Sequence, residues 1–427
     1  MNHSVTHVVT CFLRNRGEVL LFRRSDEVGS YSGRWGAVAG HAEGDPDGAA
    51  REEIREESGL GDAVSFVRAG ESFAVEDGDL ETRWVVHPYL FDCDSRTVET
   101  NYETTEFEWV SPTEIRRRET VPDLWNSYER VAPTVETIEE DGDHGSAWLS
   151  VRVLEVLRDR ASVLATTDGE GEDEWDELAA LAGDLRAARP SMTVLENRIN
   201  RAMAEANDQR TATAVERTAV AGIERAFEVD AGAAREAAAL LDGTVLTLSR
   251  SGTVLDALRR ADLEEIVVAE SRPAREGCGV AEALAAADRE ATLIIDAAVA
   301  HVFSTRSIAC VLVGADTVFP DGSVLNKVGT RGIAIAAAHE DIPVYAVAAS
   351  DKISTDDEPD FEEGDPEAVY DGPEGIGVAN PTFDRTPSEL VTVVTENGPL
   401  DEESVADRAA AFAALAARTQ EPSSDPE

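Results

Sequence analysis

Lysine is almost missing from this chain. Only Lys327 and Lys352 occur among 427 residues, and arginine supplies the other 36 of the 38 basic residues. Cysteine is also sparse: Cys11, Cys93, Cys278 and Cys310 are far apart and form no Cys-x-x-Cys pair. That spacing argues against a disulfide framework or a zinc site and fits a reduced compartment. No apolar run approaches the roughly 18 residues a membrane-spanning helix needs. The start, Met1-Asn-His-Ser4, shows no basic segment leading into an apolar one, so no secretory leader is expected. Positive charge is in deficit: 85 acidic residues face 38 basic ones, for a net charge of −47. Such a field repels nucleic acid and anionic lipid, so neither is an expected partner.

What the chain does contain is 42% apolar and 29% charged residues, a globular composition with a length that suits about three domains. Abundant carboxylates with hardly any lysine resemble the proteins of salt-accumulating halophilic archaea. There, carboxylates keep a surface hydrated in molar salt, which screens their mutual repulsion over a few ångström. The expectation is a halophilic, cytoplasmic protein.

The first ~130 residues alternate strands with few helices. Thr6 to Leu13 and Glu18 to Phe22 are apolar runs around an Asn15-Arg16-Gly17 turn, the pattern of a hairpin. Thr82 to Phe91 and Glu106 to Val110 read as further strands, and Ser111-Pro112 as a helix cap and first helical residue. From about Gly145 to Leu241, Ala, Leu, Arg and Glu at helical spacing predict a helical subdomain, with Thr166 to Asp176 as an exposed acidic loop. From Thr244 onward, short and almost wholly apolar runs (Thr244–Leu248, Glu265–Ala269, Thr292–Ile295, Ala309–Val313, Pro343–Val347) alternate with helical segments starting near Gly252 and Gly279. Buried parallel strands look like this. Asp356 to Asp371 reads as an acidic surface excursion, Glu402 to Arg418 as a closing helix, and residues 419–427 as a disordered tail.

The first chemical cluster follows Gly40. The spacing predicts a helix from about Pro46 to Ser58, with Gly59 as its left-handed stop. Glu53, Glu56 and Glu57 then fall at i, i+3 and i+4, on one face. Crowded carboxylates are unfavourable unless a cation balances them, and hard oxygen ligands favour Mg²⁺ or Mn²⁺. This stretch resembles the Nudix box. Glu53, Ile54, Glu56, Glu57, Gly59 and Leu60 match the second half of the box in register, Trp35-Gly-Ala-Val-Ala-Gly40 resembles the strand that enters it, and Glu106 to Ile115 resembles the usual end of that domain. The box arginine is replaced by Glu52. The first box glutamate falls near Gly44, with Glu43 and Asp45 as neighbouring substitutes. The resemblance implies hydrolysis of a nucleoside diphosphate linked to another group. Glu53, Glu56 and Glu57 would be the metal-binding and catalytic residues, and Glu106 a candidate general base.

The second cluster lies at the strand ends of the C-terminal half. Ser249-Arg250-Ser251-Gly252 runs from a strand into a helix, Glu270-Ser-Arg272-Pro273 follows the next strand, and Gly314-Ala-Asp316 ends a later one. Asn326-Lys327 leads into Gly329-Thr330. Small hydroxyl and glycine residues at strand-to-helix junctions suit phosphate, and the carboxyl edge of an open sheet is where ligands bind. Together with Arg189-Pro-Ser-Met192, Asn380-Pro-Thr-Phe-Asp-Arg-Thr-Pro387 and Thr395-Glu-Asn-Gly398, these stretches resemble the translation initiation factor 2B alpha/beta/delta family, which includes methylthioribose-1-phosphate and ribose-1,5-bisphosphate isomerases. The resemblance spans roughly residues 144–418. It implies a Rossmann-like domain, a homodimer, and a phosphorylated small molecule or nucleotide bound by Ser249, Arg250, Ser251, Arg272, Asp316, Asn326 and Lys327. The isomerases of the family use a cysteine and an aspartate. Asp316 matches the aspartate, whereas the cysteine position holds Ser249, a far weaker acid than a thiol (about 8.5).

The expected fold is therefore α/β: a Nudix α/β/α sandwich (1–132), a helical subdomain (144–240) and a Rossmann-like parallel-sheet domain (241–418). The expected function is Mg²⁺-dependent hydrolysis in the first domain, fused to a binding domain that does not isomerise its ligand. The alternatives are a sugar-phosphate isomerase, and a translation-regulatory subunit that contacts initiation factor 2 and carries an inactive Nudix domain.

Overall fold

The structure, a computed structural model, describes residues 4–42, 44–78, 80–167, 171–358, 361–372 and 375–420. The chain folds into two compact units: Met1–Thr134 with Arg158–Thr167, and Val135–Leu157 with Asp168–Glu427.

In the first unit, β1 (Ser4–Asn15) and β2 (Glu18–Arg24) form the expected hairpin. Its two turn residues, Arg16 and Gly17, both have positive φ, the backbone that a tight two-residue connection demands. Strands β3 (Trp35–Gly36) and β4 (Val38–His41) lead to helix α1 (Pro46–Ser58). Then come β5 (Val64–Ala69), β6 (Phe73–Asp77), β7 (Thr82–Cys93), β8 (Thr104–Val110) and the short helix α2 (Leu124–Glu129). The strands make one sheet in the order β3-β2-β1-β7-β5, with β4 on β1, β6 on β7 and β8 on β2. Among the described strands of this sheet only the β1–β7 pair is parallel, from Ser4 opposite Thr82 to Arg14 opposite Asp92. Side chains alternate between faces, so a strand buried on both sides reads as continuously apolar. Val9, Cys11 and Leu13 of β1 pack with Ala50 and Ile54 of α1, while Phe12 packs on the opposite face with Leu124 and Tyr128 of α2. Arg158 closes that second face: its guanidinium is buried and donates to the Gly17 carbonyl at 2.7 Å and to the Tyr128 hydroxyl at 3.2 Å. Ser111 makes no capping hydrogen bond, and the segment after it, Pro112–Arg116, is a 3₁₀ helix.

The second unit begins with α3 (Val135–Glu139), the N-terminal part of α4 (Ser146–Ala165), α5 (Gly171–Ala187), α6 (Thr193–Ala206) and α7 (Ala212–Ala238). Residues 171–176, expected as loop, are the first turns of α5. Glu172, Asp173 and Glu174 suit the positive end of the helix, and Trp175 is buried beneath the Arg210 guanidinium, 5.0 Å from its ring. Residues 168–170 lie outside the described residues.

Next come β9 (Thr244–Leu248), α8 (Gly252–Arg260), β10 (Glu265–Ala269), α9 (Glu276–Ala285), β11 (Ala291–Ile294), α10 (Val299–Thr305) and β12 (Cys310–Gly314). They are followed by β13 (Thr317–Val318), β14 (Val324–Lys327), α11 (Thr330–His339), β15 (Val344–Val347), β16 (Phe383–Thr386), β17 (Thr392–Thr395), β18 (Gly398–Pro399) and α12 (Glu402–Gln420). The main sheet has the order β11-β10-β9-β12-β15-β17-β18 and is parallel except for the final hairpin. Strands β13, β14 and β16 form a small antiparallel sheet. Helices cover both faces of the main sheet. Leu246, Val267 and Val311 point to one core, and Val245, Ile266 and Leu312 to the other. Helix α9 begins at Glu276, three residues before its expected start. Residues Thr419 and Gln420 belong to α12, and the rest of the expected tail lies outside the described residues. Among the described residues, no helix is long and apolar enough to cross a membrane.

Candidate functional site

In the first unit, α1 is delimited as its sequence requires. Asp45 caps it, its carboxylate accepting the Gly48 N–H at 3.1 Å, Pro46 takes the first position, and Gly59 closes it at φ 69°. Asp45 is thus engaged as the cap of α1. Glu43 lies outside the described residues. Ala50 and Ile54 anchor the inner face, and this seats the acidic stripe beside β4. The Glu57 carboxylate accepts the Ala39 N–H at 3.3 Å and is buried. Glu53 lies over Gly40, where any Cβ would collide with its carboxylate, so the glycine of the entering strand makes room for the acid. Glu56 is exposed, 3.9 Å from the Arg55 guanidinium, which also pairs with Glu52. Burial pushes the Glu57 carboxyl up to about 8, reinforced by the charges of Glu53 and Glu103. Glu53 is raised for the same reason, with Glu56 and Glu103 adding to it.

Glu103 was not expected from the sequence. It sits in the turn before β8, its N–H on the Asn101 side chain at 2.9 Å and its carbonyl accepting the Ser25 N–H at 2.7 Å. The only local sign of it is the asparagine turn. Glu106 is exposed on β8 and pairs with Arg23 at 3.4 Å. Among the described residues, no three His, Cys, Asp or Glu side chains already form a metal cage. The donor set nevertheless suits a hard divalent ion: it is all carboxylate, and burial together with neighbouring negative charge raises both Glu53 and Glu57, a penalty on their charged forms that such an ion would relieve.

In the second unit, the strand order reverses between β9 and β12, because β10 and β11 lie to one side of β9, and β15 and β17 to the far side of β12. A ligand crevice forms at such a switch point, outside the carboxyl ends of the strands. Ser249 follows β9 there and Asp316 follows β12. Ser249 is left-handed at φ 63°. Its N–H donates to the Ser271 hydroxyl and its own hydroxyl to Glu276, both at 2.6 Å. The second Glu276 oxygen is 3.2 Å from Lys327 Nζ. Ser271 and Arg275, between β10 and α9, are also left-handed at φ 60° and 58°. Three non-glycine residues thus take this costly conformation at one sheet edge. Asp316 accepts the Ser146 hydroxyl at 2.9 Å, at the start of α4. Lys352 is buried. It donates to the Ala315 carbonyl at 2.6 Å and is held below its ordinary range by burial, while Asp316 and Asp230 oppose that shift.

The remaining predicted ligand residues have local partners. Ser251 caps α8 through the Val254 N–H at 3.4 Å. Arg250 reaches the Asp143 carbonyl. Asn326 is buried and donates to Thr330 at 2.9 Å. Arg272 is exposed, with its backbone N–H held by Asp296 at 2.7 Å. The helix start beyond Lys327 is closed by Asp384, which accepts the N–H groups of Gly329 and Arg331 at 2.8 and 3.1 Å. Sequence reasoning missed Glu276, Ser146 and Lys352, each of which reaches the crevice from a separate segment. Gly277 is what lets Glu276 open α9, because a Cβ there would press into the Ala269 carbonyl. Gly277→Ala should therefore destabilise the protein by about 1–3 kcal/mol in denaturant melts. An unchanged midpoint would show that the contact yields freely.

The sequence model of the initiation factor 2 subunit family matches residues 142–402. The chain belongs to that family. The NUDIX domain model matches residues 4–131, so a Nudix domain is fused to an initiation-factor-2-type domain. The chain is similar to methylthioribose-1-phosphate isomerase of Desulforamulus reducens, 30% identical over 255 residues that cover 52% of this chain and 74% of that protein. It is also similar to ribose 1,5-bisphosphate isomerase of Archaeoglobus fulgidus, 34% identical over 174 residues, covering 38% of this chain and 54% of that protein. Among solved structures, it resembles the Pyrococcus horikoshii translation initiation factor eIF-2B with a TM-score of 0.53 and 25% identity, covering 62% of this chain and 94% of that one. The Nudix domain and the isomerase relatives together indicate an enzyme.

Proposed function

We propose that the Nudix domain hydrolyses a nucleoside diphosphate-linked substrate with Mg²⁺ or Mn²⁺, and that the C-terminal domain binds a sugar phosphate or nucleotide without isomerising it. The acid pair of half-buried Glu53 and buried Glu57, seated on β4 within a Nudix domain, carries the first half of this reading. Glu53, Glu56 and Glu57 would hold the ion, which would polarise phosphate oxygens and acidify bound water. The Ala39 N–H orients Glu57, Gly40 leaves room for Glu53, and the charge of Glu103 acts on both acids. The second half rests on Ser249. Aldose-to-ketose isomerisation needs paired proton transfers, and a serine hydroxyl held by Glu276 is a poor acid opposite Asp316.

The test is direct. The full chain in potassium-rich buffer, given a panel of nucleoside diphosphate derivatives, should release phosphorylated products only when Mg²⁺ or Mn²⁺ is present. No product from any member would overturn the hydrolase reading. NMR of ribose 1,5-bisphosphate and methylthioribose 1-phosphate incubated with the protein should show no ketose. Ketose formation would instead establish the isomerase reading, which the retained Asp316 and the curated relatives favour.

A further inference from the structure

Glu276 places a negative charge where the crevice would otherwise offer a free cation. Its two oxygens are engaged at once, one by the Ser249 hydroxyl at 2.6 Å and the other by Lys327 Nζ at 3.2 Å. The carboxylate and the ammonium are both mostly buried, at 17% and 22% exposure, so solvent screens the pair only in part. Two other cations near this edge are committed elsewhere. Lys352 is tied to the Ala315 carbonyl, and Arg250 turns to the Asp143 carbonyl.

We infer that Glu276 is a specificity-determining residue: it fills the anion seat beside Lys327 and Ser249, so the crevice accepts a pentose carrying one phosphate and rejects one that brings a second phosphate to this end. The inference rests on the sugar-phosphate reading of the C-terminal domain. A phosphate arriving here would meet a like charge and would have to break both existing bonds. A sugar hydroxyl meets no such barrier, because it can donate to a free lone pair of the Glu276 carboxylate and accept from a second N–H of Lys327 while both existing bonds stay in place. Ser249, Glu276 and Lys327 thus form a clamp for neutral hydroxyls. The left-handed backbone at Ser249 and the glycine at 277 both serve to keep this clamp in place.

Calorimetric titration of the full chain with ribose 1-phosphate and ribose 1,5-bisphosphate, at one fixed KCl concentration, tests the inference. The wild-type protein should bind the monophosphate at least ~10-fold more tightly. Glu276→Gln should shrink that ratio by ~10-fold or more, mainly by tightening the bisphosphate, whereas Ser249→Ala, which removes a hydrogen bond without removing charge, should weaken both ligands and leave the ratio unchanged. If Glu276→Gln does not fold, Lys327→Gln should widen the ratio, since it leaves the carboxylate uncompensated. A wild-type preference for the bisphosphate, or a ratio indifferent to Glu276, would overturn the inference while sparing the sugar-phosphate reading. Binding of neither sugar by the wild-type protein would overturn both.

Discussion

Replacing Glu57 with glutamine should yield a protein that melts higher than wild type at pH 8 in EDTA and, with Mg²⁺, turns over far more slowly. Glu57 is buried, and its carboxyl is pushed up to about 8 from an ordinary 4.5. Between those values the folded protein keeps a proton that the unfolded chain has already released. Its contribution to stability is thus fully present at or below pH ~4.5 and drains away as pH rises toward 8. From pH 5.5 to 8 the loss amounts to about 3 kcal/mol at most. Glutamine keeps the shape and the acceptor for the Ala39 N–H but has no charge to desolvate, so its melting curve should lack this slope. For catalysis the sign is reversed. The charge that costs stability is the one that would hold the metal, so turnover should fall by about 10²–10³-fold, the size expected for a charge-stabilising group at a reacting centre. Gain in stability together with loss of activity is the signature of an acid kept for function. Equal melting slopes would refute the buried-acid account, and unchanged turnover would remove Glu57 from the metal site.

Arg198→Ala should be the most destabilising single change in the C-terminal domain. The Arg198 guanidinium is buried and donates to Asp351 at 3.1 Å, Asp230 at 3.3 Å and Ser150 at 2.7 Å. Asn197 adds bonds to the carbonyls of Asp351 and Ile353 at 2.9 and 2.8 Å. Together they fasten helix α6 to the 3₁₀ turn Ser350–Lys352 and so fix Lys352 beside Asp316. Truncating the arginine leaves two carboxylates buried with too little positive charge, since Arg201 reaches only Asp351, at 3.1 Å. Removing one partner of a buried pair costs about 3–5 kcal/mol, so the apparent melting temperature should drop by on the order of 10 °C. Arg198→Lys should recover part of that, because it restores the charge without the fork that spans both acids. A drop no larger than that of a surface arginine such as Arg260 would refute the role.

Much of this was legible without coordinates, for identifiable reasons. The continuously apolar runs of the C-terminal half announced strands buried on both faces, and those strands pair in parallel. The α1 helix was readable because its cap, proline, acidic stripe and glycine stop are all local signals. The segment 171–176 misled because acidic residues mark exposed loops and helix starts alike; only Trp175, which needs a core to enter, separates the two.

The two families, the acid-bearing face of α1 and the residues that stand at each strand end are readable from the chain alone, since all of these depend on neighbours within a few positions. The tertiary structure alone decided which charges meet. Glu103 joins Glu53 and Glu57, Ser146 and Lys352 reach Asp316, and Glu276 bridges Ser249 to Lys327, because electrostatics and hydrogen bonds act across space and the reversal of strand order at β9 and β12 brings distant segments to one edge.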